Sequence, residues 1–160
     1  MVEASAGAQQ AERKPSAIVL GAGLAASPAD AMRMALELAG VRPSDVDAVY
    51  AAAGGYGEDE LEARALIEVF GDQGVAVTAI KGLVGETLGA SGALNAAAAL
   101  ASLRNGILPA TPGAEARAFP ELGLVSEARR IQPKRLLVNA GGPGSGCRAS
   151  LLLASPGFGE

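Results

Sequence analysis

The segment "KGLVGETLGASG", Lys81 to Gly92, sets a lysine five residues before a glutamate in a glycine-punctuated loop. It reads as the end of a strand followed by a loop that enters a helix, a place where proteins hold reactive groups. An ionised Glu86 only accepts hydrogen bonds, and Lys81 only donates them. Each favours the charged form of the other, so a structural ion pair is expected rather than an acid–base couple. Cys147 is a second candidate for chemistry. A reactive thiol needs a base or a positive field. The chain contains no histidine, which excludes a Cys/His nucleophile. Arg148 is adjacent in sequence, and alternation along a strand sends the two side chains to opposite faces. A structural cysteine is the expectation.

The same composition removes other classes. One cysteine and no histidine exclude an internal disulfide and the usual zinc sites, so no metal is expected. A reducing, cytoplasmic location follows. A net charge of −4 argues against nucleic acid, which requires clustered Lys and Arg. The one basic cluster is Arg129, Arg130, Lys134 and Arg135, read as a solvated loop with docking of an acidic carrier protein as the sharper alternative. "GAGLAA", Gly21 to Ala26, fits a dinucleotide fingerprint. Pro28 soon after, and no acid at the end of the next strand, favour a turn of the frame instead.

Those residues must be positioned by a small set of elements. The 160 residues suffice for one compact domain. Residues 1–15 read as a polar tail with no apolar signal region, 16–155 as the domain and 156–160 as a second tail. "SAIVLGAG", from Ser16, is a strand ended by glycines. "SPADAMRMALELAG" is a helix with Ser27 as cap, Pro28 at its first position and Gly40 at its close. A strand is expected around Ala48 to Ala52. "EDELEARALIEVFG" is an amphipathic helix with Glu58, Asp59 and Glu60 at its start and a stripe of Leu61, Ala65, Leu66 and Val69. "VAVTAIK" is a strand, Leu88–Arg104 a helix, and "ILPATPGAEARAFPELGL" an irregular stretch. "RLLVNAGGPGSGCRASLLLAS" forms two strands joined by a glycine-rich turn. The order is that of a layered α/β domain with helices against one sheet.

The Leu88–Arg104 helix is apolar nearly all round. Its uncharged run, Thr87 to Leu103, has membrane-like length, but Ser91, Asn95 and Ser102 favour a buried soluble helix. A helix of that kind is covered on every side. One side can meet the sheet of its own domain, so the sequence predicts a neighbour for the other.

"VDAVYAAAGG…GEDELEARALIEVFG", "KGLVGETLGASGALNAAAALASLRNGILPAT" and "NAGGPGSGCRASLLL" resemble, in order and spacing, the C-terminal half of β-ketoacyl-ACP synthases, members of the thiolase-like superfamily. The resemblance runs from about Ser16 to Ala154 and implies half of a thiolase-like fold: a layered mixed sheet with a central buried helix. Family members use a cysteine nucleophile, from an N-terminal half not contained in these residues, and two histidines that stabilise a thioester enolate. The first histidine position falls on Ala52 and the second on Glu86, while the loop lysine is retained as Lys81. The glycine-rich turn, with Gly142, Gly144, Ser145 and Gly146, is implied to bind substrate, and a bulky gating side chain often found there has no counterpart. A carboxylate does not replace such a histidine, because the transition state needs hydrogen-bond donors on its developing negative charge.

"AAAGGYGEDELEARAL" is more similar to chain-length factors, the silent partners of ketosynthases in aromatic polyketide systems. The resemblance implies a non-catalytic, chain-length-factor-like subunit that completes a split synthase and lines the acyl tunnel in polyketide or fatty-acid-type biosynthesis. It needs no cofactor of its own, its ligand being a phosphopantetheine-bound acyl chain on an acyl carrier protein. Its implied partner is a ketosynthase-like subunit, an N-terminal half-chain, in a hetero-oligomer rather than a homodimer. Two alternatives are the C-terminal subunit of an active split synthase whose partner supplies the cysteine, and a stand-alone acyl or carrier-protein binding module.

Overall fold

A computed structural model of the chain describes residues 15–55, 57–71, 74–113, 119–142, 144 and 146–156. The expected tails therefore fall almost wholly outside the described residues, as do Tyr56 and Ser145. The elements are β1 (Ile18–Ala25), α1 (Pro28–Ala39), β2 (Ala48–Tyr50), α2 (Glu58–Phe70), β3 (Ala76–Thr78), the one-turn α3 (Lys81–Val84), α4 (Ser91–Asn105), β4 (Ile107–Leu108), β5 (Gly123–Leu124), β6 (Arg129–Arg130), β7 (Arg135–Ala140) and β8 (Arg148–Ala154). Short 3-10 turns cover Pro43–Asp45 and Leu88–Ala90.

Six strands form a mixed sheet in the order β1-β8-β7-β2-β3-β5. β7, β2, β3 and β5 run parallel, and β8 joins β1 and β7 antiparallel. The period-2 alternation of strands splits their side chains between two cores. Val49, Val77, Leu137 and Leu152 face α1 and α2, whereas Ala48, Tyr50, Leu136, Val138 and Leu153 face α4. Helices thus lie on both faces, as the layered reading expects.

Local chemistry explains most boundaries. Ser27 Oγ accepts the Asp30 N–H at 3.1 Å, Pro28 opens α1, and Gly40 closes it in the left-handed region at φ 63°. β1 departs from expectation. It runs through Gly21 and Gly23 to Ala25 instead of ending there, so "GAGLA" is strand, neither the expected turn of the frame nor a phosphate-binding turn. A Cβ on Gly21 would lie 2.1 Å from the Ala35 carbonyl oxygen, and one on Gly23 1.9 Å from that of Ala31. These glycines let α1 lie directly on the strand.

Other departures share one cause, tertiary hydrogen bonding. β2 ends at Tyr50, not Ala52. The Ala51 N–H still reaches the Thr78 carbonyl at 2.8 Å, but the Ala52 N–H turns to Glu62. On α2 the buried stripe is Glu62, Ala63, Ala65 and Leu66, while Leu61 is 55 % exposed. The helix read as Leu88–Arg104 begins at Ser91, after a one-turn helix and a 3-10 turn. The stretch from Ile107 carries β4 and β5 at its two ends, and residues 114–118 lie outside the described residues.

α4 holds the least expected packing. Its buried residues are Ser91, Asn95, Ala99 and Ser102, so the polar edge faces the sheet. β2 and β7 pair from Ala48↔Leu136 to Tyr50↔Val138 and then diverge. The Asn95 amide donates to the carbonyls of Ala51 (2.9 Å) and Asn139 (3.2 Å) just beyond that point. Ser102 Oγ lies 2.5 Å from the phenol of fully buried Tyr50 and also bonds the Ile107 carbonyl. Burial pushes the Tyr50 phenol upward in pKa, against the Ser102 hydrogen bond. The opposite side of α4, with Ala93, Leu94, Ala97 and Ala101, is exposed. The sequence expects the helix to be covered on both sides. The side that meets the sheet is the polar one, and the side left outward is mostly apolar.

Asn95→Ala leaves two buried carbonyls without their donor and is expected to cost about 2 kcal/mol. Ala97→Ser, on the outward side, should change stability by less than about 0.5 kcal/mol. Urea unfolding of both variants checks the difference.

Candidate functional site

The loops following β2, β3 and β7 carry the sites that the sequence singles out. In the loop after β3, Lys81 Nζ donates to Glu86 Oε2 at 2.7 Å, and the Leu88 N–H donates to Glu86 Oε1 at 2.8 Å. The lysine side chain is 11 % exposed and the glutamate 37 %. The Lys81 ammonium, then the Leu88 amide, hold the Glu86 carboxyl below the ordinary carboxylate range. Both oxygens are engaged as acceptors, and the expected ion pair is formed. This group has no proton to donate near neutral pH.

The loop after β2 is built around a carboxylate that the sequence reading did not single out. Glu62 is 7 % exposed and accepts from the backbone N–H of Ala52 (2.8 Å) and Ala53 (2.9 Å), and from Asn139 Nδ2 (2.9 Å). Ser150 Oγ donates in turn to Asn139 Oδ1 at 2.8 Å. A buried carboxylate persists where hydrogen bonds replace its water. Among the described residues, the non-glycine positions with positive φ are Ala53 at 46° and Leu88 at 49°. Each sits one or two residues beyond a position singled out in the sequence, Ala52 or Glu86. A glutamate carboxylate binds the backbone N–H at each, which offsets the conformational cost of about 1–2 kcal/mol.

Ala52 and Gly142 line one small cleft together with Glu58, Glu62, Asn139 and Arg148. Lys81 and Glu86 do not line it. Arg148 and Glu58 form an ion pair at its edge, so the first acid of α2 is tied to β8 and is not solely a helix-start charge. Gly142 has open space where a Cβ would stand, and Gly144 and Gly146 adopt φ of 73° and 63° that favour glycine. Ser145 lies outside the described residues. Cys147 is half-buried, and its Sγ meets the Arg148 carbonyl at 3.8 Å. No group of three or more His, Cys, Asp or Glu that could hold a metal occurs among the described residues. Nor, among them, is any helix long and apolar enough to cross a membrane.

The basic cluster divides in space. Arg129 and Arg130 form β6, antiparallel to β4. Lys134 and Arg135 instead enter β7, where their backbone N–H groups donate to Asp47 Oδ2 at 2.6 and 2.8 Å.

A layered mixed sheet with this loop set is a ketosynthase-type architecture. The family model of the β-ketoacyl synthase C-terminal domain matches residues 4–115, and the chain belongs to that family. Over 128 residues it is 44 % identical to the tetracenomycin polyketide synthase ketoacyl synthase beta subunit of Streptomyces glaucescens, covering 78 % of this chain and 31 % of that protein. It is 39 % identical over 125 residues to the actinorhodin polyketide putative beta-ketoacyl synthase 2 of Streptomyces coelicolor, covering 76 % and 31 %. The solved ishigamide ketosynthase/chain length factor superposes with a TM-score of 0.88 at 28 % identity, over 97 % of this chain and 42 % of that one. A β-ketoacyl synthase from Burkholderia phymatum gives 0.87 at 25 % identity, over 96 % and 41 %. The thiolase-like half-fold implied by the sequence is therefore the observed one. The chain spans about a third of the length of the curated relatives it matches.

Because folding lowers the Glu86 pKa, the pair adds stability that is present above the unfolded pKa and is lost as pH falls through the folded one. Glu86→Gln should remove this contribution. Thermal melts from pH 7 to pH 3 are expected to show wild type losing more stability than the variant, with the gap between them closing at acid pH.

Proposed function

We propose that this chain is a non-catalytic, chain-length-factor-like component of a polyketide or fatty-acid-type synthase. Its role is to complete the synthase fold with a ketosynthase-like partner and to line the tunnel holding the acyl chain. The observation that carries this reading is the state of Glu86. At the position that the family resemblance assigns to a histidine stands an acceptor-only carboxylate, whose charged form Lys81 and the Leu88 amide favour. Ala52, at the other histidine position, has no polar side chain. Decarboxylative condensation develops negative charge on a thioester oxygen, and loss of one such donor costs roughly 10²–10³ in rate. An ionised carboxylate there adds repulsion. The similarity to proteins named as beta subunits and as a ketosynthase/chain length factor supports the same reading.

The ligand in this reading is a growing acyl chain carried on the phosphopantetheine of an acidic acyl carrier protein, in the cytoplasm. Gly142, Gly144, Ser145 and Gly146 would line its path, where the absence of side chains at three of them leaves width. In the active split-synthase alternative, Lys81 and Glu86 would contribute to a modified site, and the lowered Glu86 pKa argues against a donor role for that carboxyl.

The test is reconstitution with a ketosynthase subunit, an acyl carrier protein and malonyl units. The chain is expected to change product chain length while releasing no carbon dioxide from malonyl carrier by itself. Gly142→Leu should shorten the product without abolishing condensation. Glu86→Gln should leave the condensation rate within about twofold, since a group outside the transition state contributes little to it. Abolished condensation in that variant, with stability unchanged, would overturn the non-catalytic reading.

A further inference from the structure

Gly141 and Gly142 follow one another after β7, and neither has a φ in the left-handed region, so their backbone does not require glycine. What surrounds them differs. A Cβ on Gly142 would meet open space, whereas one on Gly141 would lie 2.6 Å from Arg148 Cδ and 3.3 Å from Arg148 Nε. The next atom, the Cys147 carbonyl oxygen, would be 3.6 Å away, an ordinary contact. The bare position at 141 is therefore matched to one side chain, that of Arg148.

Arg148 is anchored at its charged end. Its guanidinium forms an ion pair with Glu58 and donates to the Cys147 carbonyl at 3.1 Å. The arginine and glutamate side chains are 15 % and 23 % exposed, so salt and water screen this pair less than the more open Arg42–Asp45 and Arg64–Glu60 pairs. Glu58 stands against a second bare position. A Cβ on Gly54 would meet Glu58 Cβ and Cγ at 3.4 and 3.8 Å, and Gly142 Cα at 3.9 Å. The pair thus spans from the start of α2 to β8 where the loops after β2 and β7 approach each other.

The cleft beside this pair offers little else that would stop an apolar ligand. Ala52, Gly54, Gly142 and Ala149 give it bare or methyl walls. Its other polar side chains, Glu62, Asn139 and Ser150, are bonded to one another and to the backbone. A hydrocarbon offers no hydrogen bond to Arg148 or Glu58, and separating them would leave two poorly solvated charges. A chain that follows the open side at Gly142 is halted at Arg148.

We propose that Arg148, anchored by Glu58, is the end wall of the acyl path and sets the length of chain that this protein accepts. The inference rests on the reading that an acyl chain runs along the glycine-rich turn, and it names the side chain at which that chain stops. Position 141 is bare because Arg148 supplies the wall from the neighbouring strand.

The test is made in the synthase reconstituted with a ketosynthase subunit, an acyl carrier protein and malonyl units. Glu58→Ala combined with Arg148→Ala removes both charges together, so that neither is left unpaired. This double variant is expected to lengthen the product by at least one malonyl-derived unit, read by mass spectrometry. Adding Gly141→Leu should restore the wild-type length, because a side chain there refills the same space. Stability of the chain alone gives an independent reading. Gly141→Leu should lower the urea midpoint of the wild type and have less than half that effect in the Arg148→Ala background. An equal drop in both backgrounds would sink the match between Arg148 and position 141, and the wall with it. A product of unchanged length from the double variant, while Gly142→Leu still shortens it, would remove the wall and leave the acyl path standing. A chain without influence on product length in any form would overturn both.

Discussion

Two diverging carbonyls set the orientation of α4. Where β2 and β7 stop pairing, Ala51 and Asn139 each present a buried oxygen, and the Asn95 amide satisfies both. Farther along, Ser102 meets Tyr50 and the Ile107 carbonyl. Four hydrogen bonds in a low-dielectric layer outweigh the alternative, in which alanines and leucines face the sheet and buried oxygens go unmet. Once the polar edge is turned inward, the apolar edge is turned outward. The domain then carries an exposed hydrophobic surface as a consequence of satisfying its own backbone.

The same logic governs the loops. Ala53 and Leu88 occupy the left-handed region without being glycine, and each is held by a glutamate at its N–H. Glu62 does this from a helix, Glu86 from within its own loop. The backbone that follows Ala52 and Glu86 therefore has a defined shape although no imidazole stands at either. Loops shaped in this way, without imidazole donors, support the proposed non-catalytic role.

Glu86 was legible from the chain because its meaning is local. Its partner lies five residues away, and neither group needs the rest of the fold to be understood. Glu62 was not, since it reads as one acid in an acidic amphipathic helix, beside a leucine that looks better suited to the core. The signal that could have found it is its place on the stripe of Ala65, Leu66 and Val69. Asn95 offered a similar clue as an amide set inside an alanine-rich run. The extent of β1 was hidden by Gly21 and Gly23, which punctuate a strand in sequence but serve close packing of α1 in space.

The sequence by itself determined the alternation of strands and helices, the cap and stop of α1, the two C-terminal strands joined by a glycine-rich turn, and the absence of any imidazole. These follow from periodicity, residue type and short spacing, which survive without tertiary context. Only the tertiary structure decided which side of α4 faces the sheet, that Glu62 is buried, and that Arg129 and Arg130 part from Lys134 and Arg135. Those outcomes depend on where strands diverge and which distant carbonyls lack donors, and such distances across the fold are not written in any local pattern.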